Sequence, residues 1–364
     1  MIRPEPPPAG FDPTDWKAPA TQAWAFRHTD AFLPHRIVPA AVRPRALPRA
    51  IRPDPPGWAT MIAPADANAV IAVTDGVVHH EEYRPPMRVD DRHMLFSVTK
   101  SVFGLIARIL IDQGAVTEAR RVVDYLPDFR GTAFADATLG ALLAMRDGVA
   151  FDESYADPRG EIHRYSSHYW RDAPGGTRAA LKTIGRRAPI DGFAYRTPVA
   201  DMIGWVLRAA TGARLGDLLG ELLWVPIGAA HPAHLILDTA GDEIAGTGLN
   251  AVPEDLARLA AMLSAGGGVG TRQVMAEASV ARMFGPVRAI GDDAERRGWG
   301  YRDLWWQHGD GVIGAIGVHG QRLLIDGRTR TAMVKTAWRP SPSNDGTHAL
   351  HREMLRMLGS AVTG

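Results

Sequence analysis

The chain has 364 residues, enough for two or three ordinary domains or one body of two lobes. With 46% hydrophobic and 22% charged residues it can bury a large core, and 41 Lys and Arg against 40 Asp and Glu leave a net charge of +1, which argues against a nucleic-acid or polybasic membrane role. There is no cysteine, which excludes disulfide frameworks, thiolate zinc sites, iron–sulfur clusters and a cysteine nucleophile.

The first eight residues hold four prolines and a glutamate, so no apolar run of a secretory signal follows the start. The most apolar stretch, Leu105 to Ile111, is broken by Arg108 and is far below membrane-spanning length. A cytoplasmic protein with no membrane partner is expected. Residues 1–57 hold 13 of the 27 prolines and cannot be mostly helix or central strand. They also carry Trp16, Trp24 and Phe26, a density of aromatics that predicts an extended arm packed on the body.

Residues 69–83 read as a hairpin around Thr74-Asp75-Gly76, because Asp-Gly supplies the positive φ of a tight turn. His79-His80 within it would point to opposite faces, a poor geometry for one metal, and read as an exposed polar strand edge. Residues 98–112 place Val98, Val102, Leu105, Ile106 and Ile109 on one helical face. Asp136 is the expected cap of a helix running through Met145. Further helices are expected over 198–210, from Pro198 to the Thr211-Gly212 stop, and over 253–264, from Pro253 to Gly266-Gly267-Gly268. A second hairpin is expected over 321–338, around Asp326-Gly327-Arg328. Strands near both ends with helices between them predict an α+β fold with one antiparallel sheet built from the two ends of the chain. The expected organisation is the arm 1–57, an α/β lobe of 58–115 with 299–364, and a mainly helical lobe 116–298.

Several motifs fail on context. The one G-x-G-x-x-G, Gly309 to Gly314, follows Trp305-Trp306 and precedes a strand, whereas a dinucleotide site needs a strand before and a helix after. None of the four lysines follows a glycine, so there is no P-loop, and His-Glu-x-x-His and Gly-x-Ser-x-Gly are absent.

One motif holds. Ser97-Val98-Thr99-Lys100 begins an apolar helix, so Ser97 and Lys100 share a face about one turn apart. A serine hydroxyl needs a neighbouring base to become a nucleophile. A lysine can be that base when burial lowers its pKa. The Ser97 backbone N–H at a helix start can also face a developing oxyanion. Such a hydrolase needs a third polar group to pass a proton to the leaving group. Tyr195, in the short polar turn after Asp191-Gly192 and before Pro198, fits that need. It also needs a second oxyanion donor, and the glycine-rich run Gly314 to Gly320 lets backbone approach a ligand closely.

Phe96-Ser97-Val98-Thr99-Lys100-Ser101 resembles the nucleophile segment of the serine β-lactamase and penicillin-binding superfamily. More closely, the chain resembles the class C-like branch that includes nylon-oligomer hydrolases and related carboxylesterases. The segments that carry this are Trp24 to His28, Asp91-Arg92-His93, Glu153-Ser154-Tyr155-Ala156-Asp157-Pro158, Tyr195, Asp255 to Arg258, Trp305-Trp306 and Ile316 to Gln321. The resemblance implies the β-lactamase/transpeptidase-like fold, with Ser97 forming an acyl-enzyme, Lys100 as base and Tyr195 assisting proton transfer. It implies an oxyanion hole from the backbone N–H groups of Ser97 and Val318. It places Tyr155, Ser166, Gly246, Trp306 and Ile316 at the substrate. It calls for no cofactor and no metal, and leaves a homodimer open.

The departures are informative. Lactamases and D-Ala-D-Ala peptidases carry Lys-Thr-Gly on the edge strand, where this chain has Ala315-Ile316-Gly317. A substrate carboxylate facing Ala and Ile loses a charge-assisted hydrogen bond, so little or no lactamase activity is expected. Ser166 is not acidic and cannot hold a substrate ammonium by charge. The expected function is hydrolysis of carboxylic esters and small linear amides. The alternative is a penicillin-recognising sensor or a protein of the D-amino-acid peptidase and β-lactamase type.

Overall fold

Both expected hairpins form, the first on the left-handed Asp75-Gly76 pair and the second with Arg330 as its left-handed residue, and the sheet is assembled from them. In the computed structural model, which describes residues 5–155, 157–185, 192–291 and 294–363, Asp75 and Gly76 take φ of 52° and 79°. The first four residues of the proline-rich start, Ala156 and Asp191 lie outside the described residues. The strands in chain order are β1 His35–Val38, β2 Ala67–Thr74, β3 Val77–Tyr83, β4 His93–Met94, β5 Ala233–Ile236, β6 Leu249–Ala251, β7 Gly268–Val269, β8 Arg272–Gln273, β9 Gly300–Arg302, β10 Trp305–Gly309, β11 Val312–Gly317, β12 Gln321–Asp326 and β13 Thr331–Ala337. Seven form one antiparallel sheet in the order β3-β2-β13-β12-β11-β10-β9. The expected sheet from both chain ends is closed by β2 against β13, with Val70 opposite Lys335 and Thr74 opposite Thr331. The Gly309-Asp310-Gly311 run is the β10–β11 turn, all three residues at positive φ.

The strands alternate at period two, so the sheet has two apolar faces. Ile71, Val73, Leu323, Ile325 and Val334 enter the main core, while Val70, Ala72, Leu324 and Met333 pack on Trp58, Ile62 and the C-terminal helix His348–Thr363. The helices Val98–Asp112, Thr197–Thr211 and Pro253–Ser264 stand where the periodicity puts them. The first packs against both β11 and the Thr197–Thr211 helix, so it ties the large sheet to the central helices. It runs so close to the β9–β10 turn that a Cβ on Gly104 would lie 2.0 Å from the Asp303 carbonyl oxygen. Arg108 pairs with Asp303 at 2.7 Å and Ser101 Oγ donates to the Leu304 carbonyl at 2.7 Å, which locks that approach.

Three expectations are corrected. The helix expected from Asp136 is Leu139–Leu143, capped by Thr138, whose Oγ1 accepts from the Ala141 amide at 3.2 Å. Thr138 stands immediately before the apolar turn, whereas Asp136 faces Arg121 at 3.5 Å. His79 and His80 are buried rather than exposed. Residues 48–52 of the arm hydrogen-bond along β3, and Trp58 stacks edge-on against His80. A second, four-stranded sheet in the order β1-β5-β6-β4 was not anticipated. Its strands are too short for alternation to show, and their partners are far apart in the chain.

The arm is packed as expected, with Trp16, Trp24 and Phe26 all buried. Trp16 lies parallel to Phe96 at 6.0 Å and edge-on to Phe26 and Trp170. No described helix is long and apolar enough to cross a membrane. Trp16→Ala is expected to cost about 3–5 kcal/mol, the usual loss for a buried large aromatic, read as a lower urea midpoint. Trp16→Phe should recover much of that loss.

Candidate active site

The small sheet sets the position of Ser97. His93 and Met94 pair with Ala251 and Asn250, and the Leu95 amide donates to the Leu249 carbonyl at 3.0 Å. Phe96 then takes φ of 49°, a left-handed conformation uncommon for a bulky residue. That kink turns the strand directly into the Val98–Asp112 helix and leaves Ser97 at its start. The Ser97 side chain makes no capping hydrogen bond. Its Oγ instead accepts from Lys100 Nζ at 2.7 Å, and Nζ also donates to the Gly246 carbonyl at 2.7 Å. Lys100 is 1% exposed. Burial lowers its pKa to about 8, opposed by the negative charges of Glu153 and Asp201.

Tyr195 closes the other side. The Ala194 amide donates to the Met145 carbonyl, and the buried Arg196 pairs with Asp147 at 2.9 Å while reaching the Met145 and Val149 carbonyls. These contacts fix the turn that carries the tyrosine. Its ring stacks on Trp306 at 5.3 Å and lies 5.2 Å from Lys100 Nζ. Burial pushes the phenol pKa up, and a hydrogen bond with Ser97 only partly offsets this, so the group keeps its proton at neutral pH.

The end of β11 forms the third wall. A Cβ on Gly317 would lie 2.4 Å from the Leu95 carbonyl oxygen, so only glycine lets this strand come so close to the segment that carries Ser97. Val318 follows it. Two cavities meet at Ser97. One of about 400 Å³ is lined by Glu153, Tyr195, Trp306, Ile316 and Asn344. The other, about 250 Å³, is lined by Lys17, Ser166, Trp170 and His319. Tyr155 and Val318 line both.

The structure thus brings together Ser97, Lys100, Tyr195 and Val318, with Tyr155, Trp306, Ile316 and Ser166 on the cavity walls. Gly246, expected among the substrate contacts, lines neither cavity; it lies behind Lys100 and presents its carbonyl to it.

Sequence reasoning gave no role to two carboxylates. Asp201 accepts from the Ala245 and Gly246 amides at 3.0 and 2.8 Å and from the Tyr165 and Tyr169 phenols, which fixes the carbonyl behind Lys100. Burial raises its pKa to about 6. The available signal was a lone acid amid the apolar residues of the 198–210 helix. Glu153 accepts from the Thr197 amide at 2.8 Å, the Thr197 hydroxyl and the Tyr155 phenol, and burial raises its pKa. Among the described residues, Glu295, Asp345 and His348 place ligand atoms within 4.8 Å of one another and could hold a metal ion. Asp345 and His348 belong to the wall of the larger cavity.

An α+β body with a serine and a buried lysine one helical turn apart, where the Val98–Asp112 helix meets β11, defines a hydrolase of the serine β-lactamase superfamily. The profile of the family described as Beta-lactamase matches residues 59–355, and the chain belongs to that family. It is 28% identical over 373 residues to the 6-aminohexanoate-dimer hydrolase of Paenarthrobacter ureafaciens, covering 97% of this chain and 95% of that one. Its fold matches a provisionally named 6-aminohexanoate-dimer hydrolase from Bacillus anthracis with a TM-score of 0.90, at 21% identity over 99% of each chain. It matches a family VIII carboxylesterase with a TM-score of 0.60, at 16% identity over 82% of this chain and 97% of that one.

Gly317→Ala should displace the β11 end from the nucleophile segment. A misplacement of this kind costs about 10²-fold in rate, so ester hydrolysis should fall by that order while the circular dichroism spectrum is retained.

Proposed function

We propose that this protein hydrolyses carboxylic esters and small linear amides through an acyl-enzyme on Ser97. The observation that carries the reading is the buried Lys100 amine 2.7 Å from the Ser97 hydroxyl. In its neutral form the amine takes the Ser97 proton as Oγ attacks the substrate carbonyl. The N–H groups of Ser97 and Val318 hold the oxyanion. The Tyr195 phenol gives its proton to the departing alcohol or amine and is reprotonated from Lys100. Water then attacks the acyl-enzyme, its proton passes to the same lysine–tyrosine pair, and Ser97 recovers its proton as the acid leaves.

The shape of the cleft supports ester and linear amide substrates. The leaving-group cavity carries Trp306 and Ile316, which suit an apolar chain, and β11 presents no cation at the position where lactamases hold a carboxylate. Relatedness to the 6-aminohexanoate-dimer hydrolase supports the amide side of the reading.

Ser97→Ala should lower steady turnover of p-nitrophenyl acetate and longer homologues by about 10³-fold or more. A single stoichiometric burst in the unaltered protein would point to a sensor instead, and no release above the mutant would overturn the enzyme reading. Nitrocefin should be cleaved poorly, and an efficiency above about 10⁵ M⁻¹s⁻¹ would refute the substrate assignment.

The pH profile provides a separate test. The active lysine is the neutral one, so kcat/KM should rise as pH passes through about 8. Glu153 stabilises the charged lysine, so Glu153→Gln should move that rise to lower pH. An unmoved or upward-shifted midpoint would exclude this coupling.

A further inference from the structure

The two cavities that meet at Ser97 differ in their access to the phenol. Tyr195 lines the larger one and not the smaller. The group that protonates the leaving atom must sit on the leaving-group side, so the smaller cavity is the acyl side. No acidic side chain lines that cavity among the described residues. Its one charged wall residue outside the histidines is Lys17, delivered by the arm. The Lys17 ammonium lies 5.6 Å from the ring centres of both Trp16 and Trp170. No hydrogen bond or ion pair engages it among the described residues; Arg171 adds a second positive charge nearby and Asp15 a negative one. Burial lowers the Lys17 pKa to about 8. Ser166, on the same wall, is neutral.

We propose that the acyl side of the cleft selects acyl groups ending in a carboxylate, held by Lys17, so that the preferred substrates are monoesters or monoamides of short dicarboxylic acids. This rests on the acyl-enzyme reading above. Ser97 Oγ forms the new ester bond as the alcohol or amine leaves with a proton, and water releases the free dicarboxylic acid. A partly desolvated ammonium gains a charge-assisted hydrogen bond from such a tail and repels an ammonium-ended one.

The test compares monomethyl adipate, methyl hexanoate and methyl 6-aminohexanoate with the full chain, following acid release by pH-stat. Monomethyl adipate should exceed each of the others in kcat/KM by about tenfold or more, the scale of one hydrogen bond to a charged group. In Lys17→Met that ratio should collapse towards unity, and Lys17→Arg should restore part of it. Equal rates for the three esters, or a preference for the ammonium ester, would overturn the proposal while leaving the hydrolase reading intact. If no ester is cleaved, that reading fails first. Calorimetry of adipate, hexanoate and 6-aminohexanoate with the Ser97→Ala protein still decides the proposal, which predicts tightest binding of adipate. If Lys17→Met does not fold, the ester ratio of the unaltered protein and its loss at high salt serve the same purpose.

Discussion

The site depends on keeping one amine dry without neutralising it by an ion pair. Burying an ammonium costs several kcal/mol unless its hydrogen bonds are met. Here Lys100 has two acceptors, Ser97 Oγ and the Gly246 carbonyl, and no direct salt bridge among the described residues. Asp201 is near enough to be felt, but its oxygens are occupied by two backbone amides and two phenols. The carboxylate therefore builds the cradle rather than pairing with the lysine. A salt bridge would have held the amine protonated and useless as a base. The arrangement keeps its pKa close to neutrality and works in both states: charged, Nζ donates to both oxygens, and neutral, it can accept from the serine.

The surroundings of that amine come from distant parts of the chain. The strand that leads to Ser97 is held by β6, the tyrosine turn by the Asp147–Arg196 pair, and the end of β11 by the approach of Gly317 to Leu95. Each tie is buried and short. Small errors in the relative placement of these elements are therefore resisted by packing rather than by loops, as a site that must hold reacting groups within a fraction of an ångström requires.

What was legible in the sequence follows from the range of the interactions involved. Helices punctuated by Pro198, Gly212 and Pro253, and hairpins turned by Asp75-Gly76, are local and were read correctly. Ser97 and Lys100 are three residues apart and announce themselves on one helix face. The β1-β5-β6-β4 sheet could not be read, because strands of two to four residues carry no usable alternation and their pairing is set by tertiary contacts. Asp201 was missed for the same reason, since its partners at 245–246 and on the 161–170 helix are known only once the chain is folded. Gly246 is placed at the substrate by the family resemblance alone, whereas in this fold it faces Lys100 with its carbonyl. Asp136 lost its capping role to Thr138 through a shift of two residues, within the ordinary uncertainty of a helix boundary.

The arm gains a meaning from this geometry that its proline content hides. A proline-rich segment cannot join a central strand, yet it pairs along the β3 edge, covers His79 and His80, and stacks Trp16 on Phe96, the residue before Ser97. These contacts explain why its aromatics are buried. They do not by themselves explain a lysine beside Trp16, since four lysines among 41 basic residues make Lys a rare choice in this chain. The same segment that props Phe96 thus carries Lys17 to the wall of the smaller cavity, while β11 brings Ile316 to the wall of the larger one. Under the proposal above, a carboxylate on the acyl side would be recognised from the arm rather than from the sheet. Specificity in this cleft would then be set by a part of the chain that takes no part in the proton transfers, and could vary without disturbing the Ser97–Lys100 pair.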